Sequence, residues 1–269
     1  MQSQRRSACV WVALVAWWCA AVARAQESLE LSGPVELAWK TRIDHVGPAD
    51  DSFRAVAAGG GRVYAAGAVD SLGSGDRLLV VARNAASGAL IWENASIAIW
   101  DASPQHPNGL ALAPDGQRVY ATHFAPAAGL VGMVSVLDAA SGALVAQWTT
   151  AGALSIAGLQ DVATSPDGSR VYATGATLTF PKAACTVAFD AASGAVVWAQ
   201  SEAGGAIGST PTRIAIDPTG QRVFEARALS LVAYDAASGT KLWTKSDGMR
   251  RPVSTRGREA PQWYALGAR

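Results

Sequence analysis

The apolar residues of this chain do not recur at a helical period. From residue 52 to residue 245 they fall in short runs, rich in Val, Ala, Leu and Tyr, broken by Gly, Pro, Asp and Ser. Within a run both alternating sets are apolar, which predicts strands buried on two faces rather than one. Two kinds of break recur. The first is Gly59-Gly60-Gly61, Pro114-Asp115-Gly116, Pro166-Asp167-Gly168 and Pro218-Thr219-Gly220, where Pro presets φ and Gly accepts a positive φ, so the chain reverses tightly. After these come Arg62-Val63-Tyr64, Arg118-Val119-Tyr120, Arg170-Val171-Tyr172 and Arg222-Val223-Phe224, at spacings of 56, 52 and 52 residues. The second break, about twenty residues later each time, is an Asx-Ala-Ala-Ser-Gly block: Asn84 to Gly88, Asp138 to Gly142, Asp190 to Gly194 and Asp235 to Gly239. Its acidic or amide side chain is placed to accept hydrogen bonds from the turn amides.

Two blocks recurring four times in one order define a repeat. Each unit reads as four short strands; in the third they span roughly 159–165, 170–176, 184–190 and 195–200. The units cover approximately 52–100, 108–150, 159–200 and 211–245, and the predicted fold is all-β: a β-propeller of four-stranded antiparallel blades. Each fourth strand carries a tryptophan, Trp92, Trp148, Trp198 or Trp243. Trp148 is displaced by two residues, which keeps it on the same face because the strand period is two. Burying an indole contributes about 4–6 kcal/mol as an upper bound, so these residues are expected to dock blade on blade. Composition changes one point: the 56 alanines would favour helix, but the turn spacing overrides propensity and makes them small packing residues.

The stretches Ala188-x-Asp190-x-x-Ser193-Gly194-x-x-x-Trp198 and Ala233-x-Asp235-x-x-Ser238-Gly239-x-x-x-Trp243 resemble the tryptophan-docking repeat of quinoprotein-like (PQQ-like) β-propellers, with Ser where Thr is usual. Ala82 to Trp92 matches with Asn84 for Asp, and the second unit matches with its Trp shifted. The resemblance spans about 33–245. Trp39, in Val35 to Arg42, is similar to a further fourth strand, 53 residues before Trp92. It reads as an orphan N-terminal outer strand.

Residues 1–25 read as a secretory signal: Arg5 and Arg6, an apolar stretch from Ala8 to Ala23, and Ala23-Arg24-Ala25 before the expected cut at Gln26. A secreted or periplasmic location follows, with the propeller repeats in 26–245 and a basic, irregular tail in 246–269. Cleavage leaves 244 residues with a net charge of −2, no membrane span, and Cys185 as the one cysteine. A buried, inert thiol is expected there, and no intrachain disulfide. The near balance of charge excludes a nucleic-acid binder acting by bulk charge. At this repeat length the mature chain holds about 4.6 units, whereas the resemblance implies a ring that usually closes at seven or eight. Three readings follow: an arc of a larger propeller, a small closed ring of four or five blades, or a ring completed by two copies. An open arc would be prone to self-association through its end blades.

In such propellers ligands sit at the mouth formed by the loops entering the inner strands and those after the second strands. The resemblance therefore implies a rim of ligand candidates: His45, Arg54, His106, His123, Asp161, Arg213 and Arg227. Comparing the units with one another singles out His123 and Arg227, which replace Gly67 and Gly175, and Glu225, which replaces the alanines at 65, 121 and 173. A local Glu225–Arg227 pairing accounts for these equally well. No catalytic set is recognised, and no histidine pair has a metal-ligand spacing. The function expected is a non-catalytic binding or scaffolding module for a protein or small molecule, without a cofactor. The alternative the resemblance implies is part of a PQQ- and calcium-dependent dehydrogenase, or a propeller lactone hydrolase.

Overall fold

The computed structural model describes residues 52–71, 75–99, 109–124, 131–150, 152, 156–177, 183–202, 211–227 and 230–246. Residues 1–51 and those beyond Ser246, with the expected signal, the strand around Trp39 and the basic tail, lie outside the described residues.

Sixteen strands form four antiparallel sheets, each in sequence order. Blade 1 is β1 (Ser52–Gly59), β2 (Arg62–Ser71), β3 (Gly75–Asn84) and β4 (Leu90–Ala98). Blade 2 is β5 (Gly109–Leu112), β6 (Arg118–Phe124), β7 (Gly132–Asp138) and β8 (Leu144–Thr149). Blade 3 is β9 (Ile156–Thr164), β10 (Arg170–Thr177), β11 (Ala184–Asp190) and β12 (Val196–Glu202). Blade 4 is β13 (Pro211–Ile216), β14 (Arg222–Arg227), β15 (Leu231–Asp235) and β16 (Lys241–Lys245). Each blade holds one copy of the two recurring turn blocks.

The turns follow from the blocks that signalled them. Gly116, Gly168 and Gly220 hold φ of 71°, 73° and 72°, the left-handed region a side chain enters at a cost. In the second turn the Asp138 Oδ1 accepts from the amides of Ala140 and Ser141 at 3.1 and 2.8 Å and from the Ser141 hydroxyl at 2.7 Å. Asn84 does the same for Ala86 and Ser87. The Ser bonds, first the hydroxyl and then the amide, hold the Asp138, Asp190 and Asp235 carboxyls below their ordinary value.

Blades meet through one repeated joint. Trp92 lies on Gly142 of the next blade, Trp148 on Gly194 and Trp198 on Gly239, so close that a Cβ there would enter the indole. The Trp92 and Trp198 Nε1 atoms donate to the carbonyls of Ala139 and Ala236, at 3.0 and 2.9 Å. The hydroxyls of Tyr64 and Tyr172 donate to the same two carbonyls. Trp148 pairs with Val134, whereas Trp92 pairs with Ala82, two residues away in the repeat. Its ring still reaches the matching glycine, because the displacement is one full strand period. Three apolar clusters fill the three seams, including Tyr64, Leu137 and Ala139 in the first, Val136 and Phe189 in the second, and Tyr172 and Tyr234 in the third.

Every outer strand carries a bulge that the sequence did not announce. The register skips Ile91, Val145, Val197 and Leu242, and these extra residues are exposed by 40, 50, 41 and 47%. A bulge twists an edge strand and interrupts its ladder, which discourages edge-to-edge pairing.

The first strands lie side by side in the order β1, β5, β9, β13. Among the described residues β13 does not pack back on β1, so the four described blades form an open arc, as a partial propeller would. In the last described blade Trp243 lies tilted by 43° against Phe224 at 6.0 Å and is half-buried among the described residues, whereas Trp92, Trp148 and Trp198 are buried.

Candidate functional site

The distinctive polar side chains lie in and around the seams. His123 is the last but one residue of β6 and faces blade 1, on the same face as Val119 and Ala121. Its Nδ1 lies 3.1 Å from the Phe124 carbonyl and its Nε2 2.8 Å from the Ser135 hydroxyl. A carbonyl only accepts, so Nδ1 carries the proton and Nε2 accepts from Ser135. Gln147 Nε2 completes the chain by donating to the Ser135 oxygen at 3.2 Å. Burial lowers the imidazole pKa, partly offset by the bond to Phe124, so a neutral ring is expected at pH 7. The ¹⁵N spectrum of His123 is expected to show the Nδ1-protonated tautomer; an imidazolium signal at neutral pH would contradict this network.

Asp161, on the inner strand β9, ties two blades together. Its Oδ2 accepts from the Ile214 amide of β13 at 3.0 Å, and its Oδ1 from the Val162 amide at 3.0 Å. Burial raises its pKa to about 6, against the two amides and the nearby Arg213 guanidinium. The folded value lies above the unfolded 3.8. Stability from the protonated form is therefore full below pH 3.8 and lost as pH rises through about 6. Asp161→Asn removes this titration. Thermal melts from pH 4 to 8 should show wild type losing ground to the variant as pH rises; a constant difference would refute it.

The third seam holds a charged cluster. Glu225, wholly buried on β14, receives Nε and Nη2 of Arg227, each at 3.0 Å. The hydroxyls of Tyr234 and, across the seam, Thr186 donate to its Oε2 at 3.0 and 2.9 Å. Arg227 Nη1 reaches Glu202 of blade 3 at 2.8 Å, and Lys241 Nζ binds the same carboxylate at 2.7 Å. Burial opposes ionisation of Glu202, but the bonds from Lys241 and Arg227 hold its pKa below the ordinary value. Burial and the Glu225 charge push the Tyr234 phenol upward. Cys185 is buried in the second seam, and burial raises its thiol pKa to about 11, the inert thiol expected.

A cleft of about 280 Å³ opens between the first turns of blades 3 and 4, lined among others by Ser165, Asp167, Ser169, Arg170, Tyr172 and Thr219. Its polar groups are bonded to one another: Ser165 and Ser169 donate to Asp167 and lower its pKa to about 2. Arg170 pairs with Asp190 at 2.9 Å.

The rim candidates are thus dispersed. Asp161 and Arg213 come together beside β13. His123 and Arg227 sit in different seams, and Arg54 is an exposed residue at a bulge of β1. His45 and His106 lie outside the described residues. Among the described residues no three His, Cys, Asp or Glu side chains are grouped to hold a metal. Sequence reasoning missed Ser135, Gln147, Thr186, Glu202 and Lys241. For Ser135 and Thr186 a signal existed, since the matching third-strand positions are Val81, Val187 and Val232 for the one and Val80, Val134 and Leu231 for the other.

Four-stranded antiparallel blades joined by an indole on a glycine turn define a β-propeller repeat protein. A family model described as outer membrane protein assembly factor BamB, of the PQQ-like repeat type, matches residues 130–268, just over half of the chain, and the chain belongs to this family. No curated protein sequence matches it. Among solved structures it is similar to the quinohemoprotein alcohol dehydrogenase of Comamonas testosteroni, at 15% identity and a TM-score of 0.50 over 72% of this chain and 35% of that one. BamB from Moraxella catarrhalis aligns at 17% identity and a TM-score of 0.43, over 71% of this chain and 51% of that one. A putative 6-phosphogluconolactonase from Bacteroides uniformis aligns at 20% identity and a TM-score of 0.47, over 75% and 56%. The chain spans from about a third to just over half of the length of these proteins.

Proposed function

We propose that this chain is a non-catalytic binding or scaffolding module of the cell envelope, secreted or periplasmic, which engages a partner protein or small molecule through its surface. The observation that carries the reading is how the distinctive polar groups are used. His123, Asp161, Glu225 and Arg227 are bonded to neighbouring strands and blades, an arrangement that supports a framework rather than a reacting centre. The family description, an outer membrane assembly factor, fits an envelope scaffold. Contact surface is supplied by the exposed bulge residues and by the face of blade 4 that no described blade covers, where Leu231 is 38% exposed. That face also favours self-association.

The test is photocrosslinking in cells that express the full chain, with a photoreactive residue in place of Ile91 or Val197. A discrete adduct with an envelope component, together with a mature N-terminus at Gln26, is expected. Dye reduction that depends on the quinone and calcium, or hydrolysis of a lactone, by the purified protein would overturn the non-catalytic reading. A cytoplasmic chain that retains residues 1–25 would overturn the location.

A further inference from the structure

Blades built from one repeat present nearly the same two faces, so a chain of them has an assembly problem. The indole face of one blade could accept the turn face of the wrong neighbour, or of another copy of the chain. The second seam, where Ala173, Val187 and Cys185 meet Tyr120 and Trp148, is apolar at the positions that become charged in the third. There blade 4 presents Glu225 where the other blades have Ala65, Ala121 and Ala173, and Arg227 where two of them have Gly67 and Gly175.

We propose that Glu225 and Arg227 are an address: they make blade 4 compatible with blade 3 alone and so fix the order of blades during folding. Both groups are met across the seam by residues that only blade 3 carries. Thr186 gives its hydroxyl to Glu225, and Glu202 takes Arg227. At the position of Thr186, blades 1 and 2 have Val80 and Val134. At that of Glu202 they have Ile97, opposite Leu78, and Thr150, bonded to Gly132. Blade 4 docked on either would bury the carboxylate without its hydroxyl and the guanidinium without its second carboxylate. A buried ion pair contributes little net stability compared with apolar residues of similar size, yet costs heavily when its partners are lost. That asymmetry rejects wrong neighbours without strengthening the right one.

The test is refolding of the full chain from denaturant, read by size-exclusion chromatography with light scattering and by thermal melting. Glu225→Ala/Arg227→Gly restores the residues of the first and third repeats. It is expected to melt within a few degrees of wild type while its yield of misassembled oligomers rises several-fold over wild type. Thr186→Val, which makes the blade 3 face match that of blade 2 at this position, removes one of the features that distinguish the two faces and should raise misassembly in the same direction. The proposal is overturned if both variants refold to the wild-type yield of native species. It is equally overturned if they lose melting temperature with no rise in oligomers, because the cluster would then be a plain stabiliser.

Discussion

Valine in place of Gly194 is expected to lower the melting temperature by roughly 10 °C. Two costs combine. Gly194 holds φ of 73°, where a β-branched residue is strained. Its Cβ would also fall inside the Trp148 indole, which is fixed between Tyr120 at 5.5 Å and Phe189 at 5.7 Å and has no room to retreat. Strain and overpacking together amount to about 3–5 kcal/mol. In a domain of this size each kcal/mol moves the midpoint by about 2–4 °C. Gly116→Val separates the two, because Gly116 has φ of 71° but nothing within 4 Å of a built Cβ. Melting both variants by circular dichroism should give a clearly smaller loss at Gly116. Equal losses would mean that the docking joint tolerates a side chain.

Removing one member of the buried ion pair should have a comparable effect by a different route. In Arg227→Met the wholly buried Glu225 keeps the hydroxyls of Thr186 and Tyr234 but loses both guanidinium bonds, and Glu202 keeps Lys241. An uncompensated buried carboxylate costs about 3–5 kcal/mol. The urea midpoint should fall with little change in slope. Glu225→Ala on top of Arg227→Met should recover part of the loss, since the orphaned charge is then gone. A double variant less stable than the single one would show that the pair holds the seam by attraction, and that the cost is not one of stranded charge.

The architecture was legible wherever chemistry recurs. The Asx and Gly of the second turn and the outer-strand indole return four times, and each is needed at one place in the joint, so spacing alone located turns, strands and seams. The displaced Trp148 could be placed too, because strand geometry makes a two-residue step harmless. What remained hidden depends on neighbours. Glu225 and Arg227 stand out as departures from the repeat, but their sequence does not reveal that Glu202, 25 residues before Arg227, lies within 2.8 Å. The expectation of a ligand rim came from the usual use of propeller mouths; the structure places His123 and Arg227 between blades, where burial had to be satisfied internally. The bulges escaped notice because an extra residue in an edge strand leaves the spacing from glycine to indole unchanged in three of the four units.

The bulge residues Ile91, Val145, Val197 and Leu242 have one more consequence. Each is left out of the strand register, at the same point of its blade, and is exposed. Change at these positions leaves the indole joints untouched, so all four can vary independently while the framework stays constant. They are ready-made attachment points for a fluorophore or a crosslinker, and equally positions where natural variation can explore new contacts at little structural risk.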